Sequence, residues 1–492
     1  MNYTTPEKVG IPSGKIEEYV KLLESYNLNT HNMILSKGDN IIFEHYWTPF
    51  HKDFFHRMYS VSKSFVAIAI GFAEQDGLVN LDDPISRYFP EEAAIQIDEK
   101  MRNQTIRHML MMSTVKPDRW WFKDKPIDRV KYYFDNSSPQ SRPSGTIFEY
   151  DSSGSFMLGA LVERLTGMPF MEYLRVKLFD KIGVSKEAYC LKCPGGHSWG
   201  DSAIICTPMD LWKTARFMLN KGRWNGEQIL NEAYVTAATT KQIDNNVLGV
   251  TGPTTWGYGY QFWMTYQNSF FFNGMGCQYA ICVPEKDLIF VYNGDNQGNP
   301  FAKSAIIDNF FRIIVNNCNN EAAEEEHKAQ EHLKSYMAGL KLNVAKGEPR
   351  SVTEERIQGV TYELDDNSMG IRTVRFEFDE MGGTLFYTNA QGDKELRFGK
   401  CENMFGDFPE EGYSDQVATV PALGNKYHCA ASAAWVEPHK LFIKVQIIDK
   451  YFGILNMIFN FQGNMLGVHM NKAAEDFLDT YHGYATGIRL ME

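Results

Sequence analysis

Met58-Tyr59-Ser60-Val61-Ser62-Lys63-Ser64-Phe65 stands directly before the apolar run Val66-Ala67-Ile68-Ala69-Ile70. If Ser60 opens a helix, Lys63 lies one turn on with its side chain on the same face. A serine hydroxyl is a weak nucleophile until a neighbour takes its proton, and an amine with a depressed pKa can do so. The start of a helix also presents free backbone N–H groups to a developing negative charge. The competing reading makes Ser60 an ordinary helix N-cap, the usual job of serine at that position.

Working outward, 492 residues are too many for one ordinary core, so two or three domains are expected. Apolar residues make up 43% and aromatics 14%, ample for globular packing. The formal net charge of −12, with no basic stripe, argues against a nucleic-acid partner. The polar start Met1-Asn2-Tyr3-Thr4-Thr5-Pro6-Glu7-Lys8 lacks the apolar core of a secretory signal. The apolar runs, such as 65–73, are too short to span a bilayer. A cytoplasmic protein with no membrane partner is therefore expected. Eight cysteines in so long a chain form no disulfide framework. Cys190 and Cys193 have CxxC spacing, but no second pair completes a zinc set, so ordinary thiols are expected and no metal.

Upstream of the opening stretch, residues 11–27 carry a helical stripe with Ser13 as a plausible cap. Residues 32–46 read as a hairpin around Lys37-Gly38-Asp39-Asn40. The helix containing Lys63 is expected to end at Asp76-Gly77. Trp120 and Trp121 sit in a charged stretch, either as a lip over a pocket or as local packing. The second chemical stretch is Pro143-Ser144-Gly145-Thr146-Ile147-Phe148-Glu149-Tyr150-Asp151-Ser152, before a helix over 156–165. A phenol near a lysine can relay protons if both pKa values are drawn toward working pH. A half-buried tyrosine bonded to a backbone carbonyl is the alternative. His197 has no aspartate-flanked partner and reads as a loop histidine.

Trp256-Gly257-Tyr258-Gly259-Tyr260-Gln261-Phe262-Trp263 and Ser269-Phe270-Phe271-Phe272 are strand-like and aromatic. Asn273-Gly274-Met275-Gly276-Cys277-Gln278 follows, with glycines that permit close backbone approach to a ligand. A hairpin across 284–287 and a helix over 302–315 complete a first domain at 1–318. Residues 319–351 read as a charged helical linker whose Glu324-Glu325-Glu326 run is a solvated face. From 352 to 492 the pattern alternates, as in Thr373-Val374-Arg375-Phe376-Glu377-Phe378, giving a separate all-β barrel or sandwich.

The three stretches around Ser60, Tyr150 and Asn273, in this order, resemble the serine β-lactamase and penicillin-binding-protein superfamily. The likeness covers about residues 5–318 and points to the class C β-lactamase-related branch of esterases and 6-aminohexanoate-oligomer hydrolases. The resemblance implies an α+β, β-lactamase-like fold, with an antiparallel sheet flanked by helices and an all-helical region. It also implies a lipocalin-like β-domain at the C-terminus. By position, Ser60 would be acylated, Lys63 would be its base partner and Tyr150 would assist proton transfer to the leaving group. The backbone N–H of Ser60 and one from Phe272, Asn273 or Gly274 would bind the oxyanion. Trp120 or Trp121 would form an aromatic lip.

Two departures stand out. Ser152, which by position would be a substrate-binding residue, replaces the asparagine often found two residues after the tyrosine. No lysine precedes Gly274 where the family's Lys-Thr-Gly motif has one. Weak or no β-lactam hydrolysis follows, and a neutral or differently charged ester, amide or short peptide is expected as a small-molecule substrate. No cofactor is required, and the oligomeric state is left open. A ligand sensor or scaffold on the same fold is the alternative from another class.

Overall fold

A computed structural model describes residues 2–96, 98–118, 121–124, 126–136, 141–246, 248–319, 327–474 and 478–490. Two compact units are present. The first comprises Met1–Lys341 with Asp415–Ala418, the second Leu342–Ser414 with Thr419–Glu492.

The first unit is built on a seven-stranded sheet. Its strands are β1 (Asn2–Tyr3), β2 (Thr30–Lys37), β3 (Asn40–Tyr46), β4 (Trp263–Thr265), β5 (Ser269–Gly274), β6 (Gln278–Val283) and β7 (Leu288–Gly294). Their order is β1-β3-β2-β7-β6-β5-β4. Only β1 runs parallel to its neighbour. The expected hairpins at 32–46 and across 284–287 are the β2–β3 and β6–β7 pairs. On one face of the sheet lies helix α1 (Ser13–Ser25), which buries Ile16, Tyr19, Val20 and Leu23 against Phe271, Ile281 and Phe290. Tyr19 donates its hydroxyl to the carbonyl of Ile306, 2.9 Å away, satisfying the one polar atom it carries into the core. Ser13 is the first residue of α1 rather than its cap. Its N–H is taken by the Glu7 carboxylate at 2.8 Å, so the carboxylate does the capping from outside the helix.

Helix α2 (Val61–Gln75) is apolar on every side from Val66 to Ala73, and all of these residues are buried. A helix with no polar face must lie in the interior. It ends where expected: Gly77 takes φ 72°, and the Leu78 N–H returns to the carbonyl of Ala73. Helix α3 (Ser152–Thr166) packs against α2, with Asp151 as its cap. A further helix, α4 (Pro208–Leu219), starts with a complete capping box formed by Thr207 and Asp210. The expected helix over 302–315 begins as α5 (Ala302–Asn309) and continues through a π-helical turn at Phe310–Ile314.

The stretch read as a linker contains α6 (His327–Ala338). Leu333 and Met337 are buried in the same core as α1, so this helix is a packed element of the first unit and not a solvated spacer. Glu324-Glu325-Glu326 lies outside the described residues. No helix among the described residues is long and apolar enough to cross a membrane.

The second unit is a closed β-barrel. Strands β8 (Thr361–Leu364), β9 (Thr373–Phe378), β10 (Gly382–Asn389) and β11 (Gly392–Lys400) form an antiparallel run. Strand β12 (Met404–Tyr413) pairs outside the ring with β13 (Pro421–Glu437). The ring continues through β14 (Lys440–Ile448), β15 (Phe452–Gln462), β16 (Met465–Ala474) and β17 (Gly483–Arg489), which returns to β8. A short parallel contact of β11 with β13, at Gly399–Ser432 and Lys400–Ala433, closes nine strands into a barrel. Closure removes most of the open sheet edge that the alternating sequence left unplaced.

Candidate active site

Ser60 occupies the N-cap position of α2, yet its side chain caps nothing. Lys63 Nζ instead donates to Ser60 Oγ at 3.0 Å. The lysine is almost completely buried, and the same ammonium donates to the carbonyl of Asp201 at 2.5 Å. The residue before Ser60, Tyr59, has φ 48°, which a non-glycine residue rarely adopts. Local strain of this kind persists only where the surroundings over-determine it. Here Tyr59 is buried and the Arg57 guanidinium stacks over its ring at 4.5 Å.

The other serines of the stretch have structural work. Ser62 Oγ accepts the N–H of Ile204 at 2.9 Å, and Ser64 Oγ donates to the carbonyl of Gln261 at 2.7 Å. Each polar side chain is paired, as burial requires.

Tyr150 is brought to the same place by a different route. The following residue, Asp151, accepts from the Ser153 N–H at 3.0 Å, from Ser153 Oγ at 2.6 Å and from Thr114 Oγ1 at 2.7 Å. Burial pushes the Asp151 carboxyl up, and these bonds act against that. The Tyr150 ring stacks on Trp263, with centroids 5.7 Å apart, and Lys63 Nζ lies 5.1 Å from its centroid. Serine, lysine and phenol ring therefore converge from positions 90 residues apart along the chain.

Ser60, Tyr150 and Trp263 line a cleft of about 550 Å³ together with Asn273, Gly274, Met275 and Lys303. The Cα of Gly274 passes so close to α2 that a Cβ would stand 2.3 Å from the carbonyl oxygen of Met58. Only glycine fits there. β4 pairs with β5 at Ser269, Phe270 and Phe271, so the outer edge of Phe272, Asn273 and Gly274 has no strand partner among the described residues. Phe272 itself is fully buried, packed edge-on against Phe262 and Phe65, so only its backbone is at issue here.

Two expectations need correcting. Trp121 is no lip. It is buried, its Nε1–H donates to Asp201 Oδ2 at 3.2 Å, and Arg129 stacks on it at 4.6 Å. Trp120 lies outside the described residues. Ser152 is the buried first residue of α3 and does not line the cleft. His197 is a loop histidine as read, paired with Glu163 at 2.8 Å. Burial pushes both the Cys190 and Cys193 thiols well up, away from reactive thiolate. Behind Lys63, burial likewise pushes the Asp201 carboxyl up, while the nearby Lys63 charge pulls it down.

Sequence reasoning missed Trp263 and Lys303 as cleft residues. The aromatic run around Trp263 was a signal for the first. The second had none, because Lys303 is one basic residue on an amphipathic helix.

Known proteins share this architecture. A 6-aminohexanoate-dimer hydrolase from Paenarthrobacter ureafaciens is 23% identical over 219 residues, 42% of this chain and 56% of that protein. The chain thus spans little more than half the length of that relative. The octameric penicillin-binding protein homologue from Pyrococcus abyssi superposes with a TM-score of 0.50 at 16% identity, over 96% of this chain and 99% of that one. EstCE1, a hydrolase with promiscuous acyltransferase activity, has a TM-score of 0.50 at 14% identity, over 61% and 98% respectively. At these identities the structural likenesses speak for the fold. The sequence of residues 16–307, which carries the serine–lysine turn, the tyrosine and the glycine strand edge, matches the family described as Beta-lactamase. More than half of the chain is covered, and the protein belongs to that family.

Proposed function

We propose that this protein is a serine hydrolase that cleaves a small ester, amide or short peptide through an acyl-enzyme on Ser60. The observation that carries the reading is the 3.0 Å contact of a buried lysine ammonium with the Ser60 hydroxyl, beside an open cleft. A cleft of about 550 Å³ suits a small molecule.

In this scheme Lys63, in its neutral form, takes the Ser60 proton as Oγ attacks the carbonyl. The tetrahedral oxyanion is received by the Ser60 N–H and an N–H of the edge at Phe272, Asn273 or Gly274. Tyr150, beside Lys63, passes a proton to the leaving group, which departs as an alcohol or amine. Water then attacks the acyl-enzyme by the same route in reverse, releasing the acid and restoring the Ser60 hydroxyl. An amide of the kind named for the 6-aminohexanoate-dimer hydrolase is one candidate substrate.

A fluorophosphonate probe tests the reading. Ser60 is expected to be labelled, and Ser60→Ala to lose both labelling and turnover of a chromogenic ester. A wild-type protein unlabelled at neutral and alkaline pH would favour a ligand sensor instead.

A further inference from the structure

One wall of the cleft takes no part in the chemistry assigned to Ser60, Lys63 and Tyr150. The segment leading into α5, together with that helix's first turn, builds this wall, and it places Lys303 against the cavity that holds Ser60. Lys303 is half-buried and makes no ion pair or hydrogen bond among the described residues. Buried lysines elsewhere among the described residues are paired. Lys116 meets Asp98 at 3.1 Å, and Lys63 donates to Ser60 and to the Asp201 carbonyl.

Burial holds the Lys303 amine below its ordinary value. The ionisable group nearest it in effect is Cys277, whose thiol is itself pushed up to about 12 and so carries no charge near neutrality. The cation therefore faces the cleft with no anion opposite it among the described residues. A partly desolvated, unpaired charge is costly, and an incoming anion relieves that cost. In a chain with 61 acidic and 49 basic residues, a lysine left without a carboxylate at a cavity wall is not explained by a shortage of partners.

The rest of the lining is mixed, with the amides of Asn273, Asn296, Gln297 and Asn299 beside Met275, Pro300 and Trp263. Met275 is 49% exposed at the cleft, and Trp263 lies under Tyr150. The apolar part, Met275 with Trp263, offers contact to a short carbon chain between a reacting carbonyl and a charged end.

We propose that Lys303 anchors a carboxylate carried by the substrate, so that the cleft selects short-chain acyl compounds with an anionic end over their neutral counterparts. This deepens the hydrolase reading and rests on it. It narrows the neutral or differently charged substrate expected from the missing lysine before Gly274 to one with an anionic end. The cation comes from another element, beyond reach of a motif comparison.

The test uses two matched esters, mono-p-nitrophenyl glutarate and p-nitrophenyl pentanoate, with the full-length wild type, Lys303→Ala and Lys303→Arg. Losing one charge-assisted contact should lower kcat/KM on the glutarate ester about 10- to 100-fold, mainly through KM. The pentanoate ester should change by no more than about threefold, and Lys303→Arg should restore much of the loss. Equal effects on both esters, or none on either, would overturn the anchor while leaving the hydrolase intact. If wild type turns over neither ester and Ser60 resists labelling, the hydrolase reading itself has failed. Calorimetric titration of glutarate then decides Lys303 alone. Binding at least about tenfold tighter to wild type than to Lys303→Ala supports the anchor, and equal or absent binding to wild type sinks it.

Discussion

Replacing Gly274 with alanine tests the site where two elements meet. The new Cβ would stand 2.3 Å from Met58 O, against an ordinary contact of 3.4 Å or more, an overlap of about 1.1 Å. Neither side yields cheaply. Met58 donates its N–H to Ile204 at 2.8 Å and accepts from the Val61 N–H at 3.1 Å, so its peptide is held on both sides. Gly274 is in register with Gln278 in the β5–β6 pair, and the Gln278 Cβ would be 3.0 Å away. Relief must come from moving the edge of β5 away from the start of α2. Overpacking of this kind costs about 1–3 kcal/mol of stability. The larger effect falls on catalysis, because the same movement widens the gap between the Ser60 N–H and the strand edge. An oxyanion donor moved out of range costs about 10²–10³ in kcat. The variant is expected to fold, to melt a few degrees lower, and to react with a fluorophosphonate about 100-fold more slowly. A folded Gly274→Ala protein that is labelled at the wild-type rate would refute the placement of the oxyanion site at this edge.

Lys63→Arg removes the one side chain bonded to Ser60 Oγ among the described residues, and arginine stays charged at any working pH. Ester turnover should fall about 10²–10⁴-fold, and near-normal rates would take the lysine out of the base role. A separate outcome concerns acid stability. His56 is fully buried beside Phe50, Phe54 and His31, and burial holds its imidazole at about 3 against an ordinary 6.5. Below about pH 6.5 the unfolded chain takes up this proton while the folded chain does not, so stability falls as pH drops toward the folded value. Near pH 5 the contribution of His56 is a loss of about 2 kcal/mol relative to neutral pH. Urea melts of wild type and His56→Gln at about pH 5 and pH 7.5 measure it, and an identical pH dependence in the two proteins would exclude His56 as a source.

Much of the site was legible because its chemistry is local. A serine and a lysine three residues apart at a helix start meet through helical geometry alone, and the apolar run after them demanded burial of that helix. The tyrosine was legible as a motif, but its approach to Lys63 depends on the Asp151 cap and the Trp263 ring, which are tertiary facts. Trp121 misled because a tryptophan in a charged stretch looks exposed. Asp201, 80 residues further on, takes its N–H and draws it inside. The barrel announced itself by alternation, but its closure rests on two residue pairs with no periodic signature. Lys303 was invisible for a related reason: a lone basic residue acquires meaning only when the fold turns it toward a cavity.

What makes the separate stretches converge is visible in one side chain. Gln261 is buried and takes φ 62°, an unusual conformation for a residue with a Cβ. Its backbone carbonyl accepts from Ser64 on α2, its Oε1 accepts from Ser155 on α3 at 2.8 Å, and its Nε2 donates to the carbonyls of Met109 and Leu110. The helix that carries Lys63 and the helix that follows Tyr150 are thus bonded to the same residue. Each of these bonds is modest in water, but burial makes leaving any one of them unmade expensive. Small displacements of the two helices would break several at once. A rigid relation between Ser60 and Tyr150 therefore follows from polar groups in the interior as much as from apolar packing. The strained backbone at Gln261 is tolerated because the bonds of this one residue to α2, α3 and the Met109–Leu110 carbonyls hold it in place.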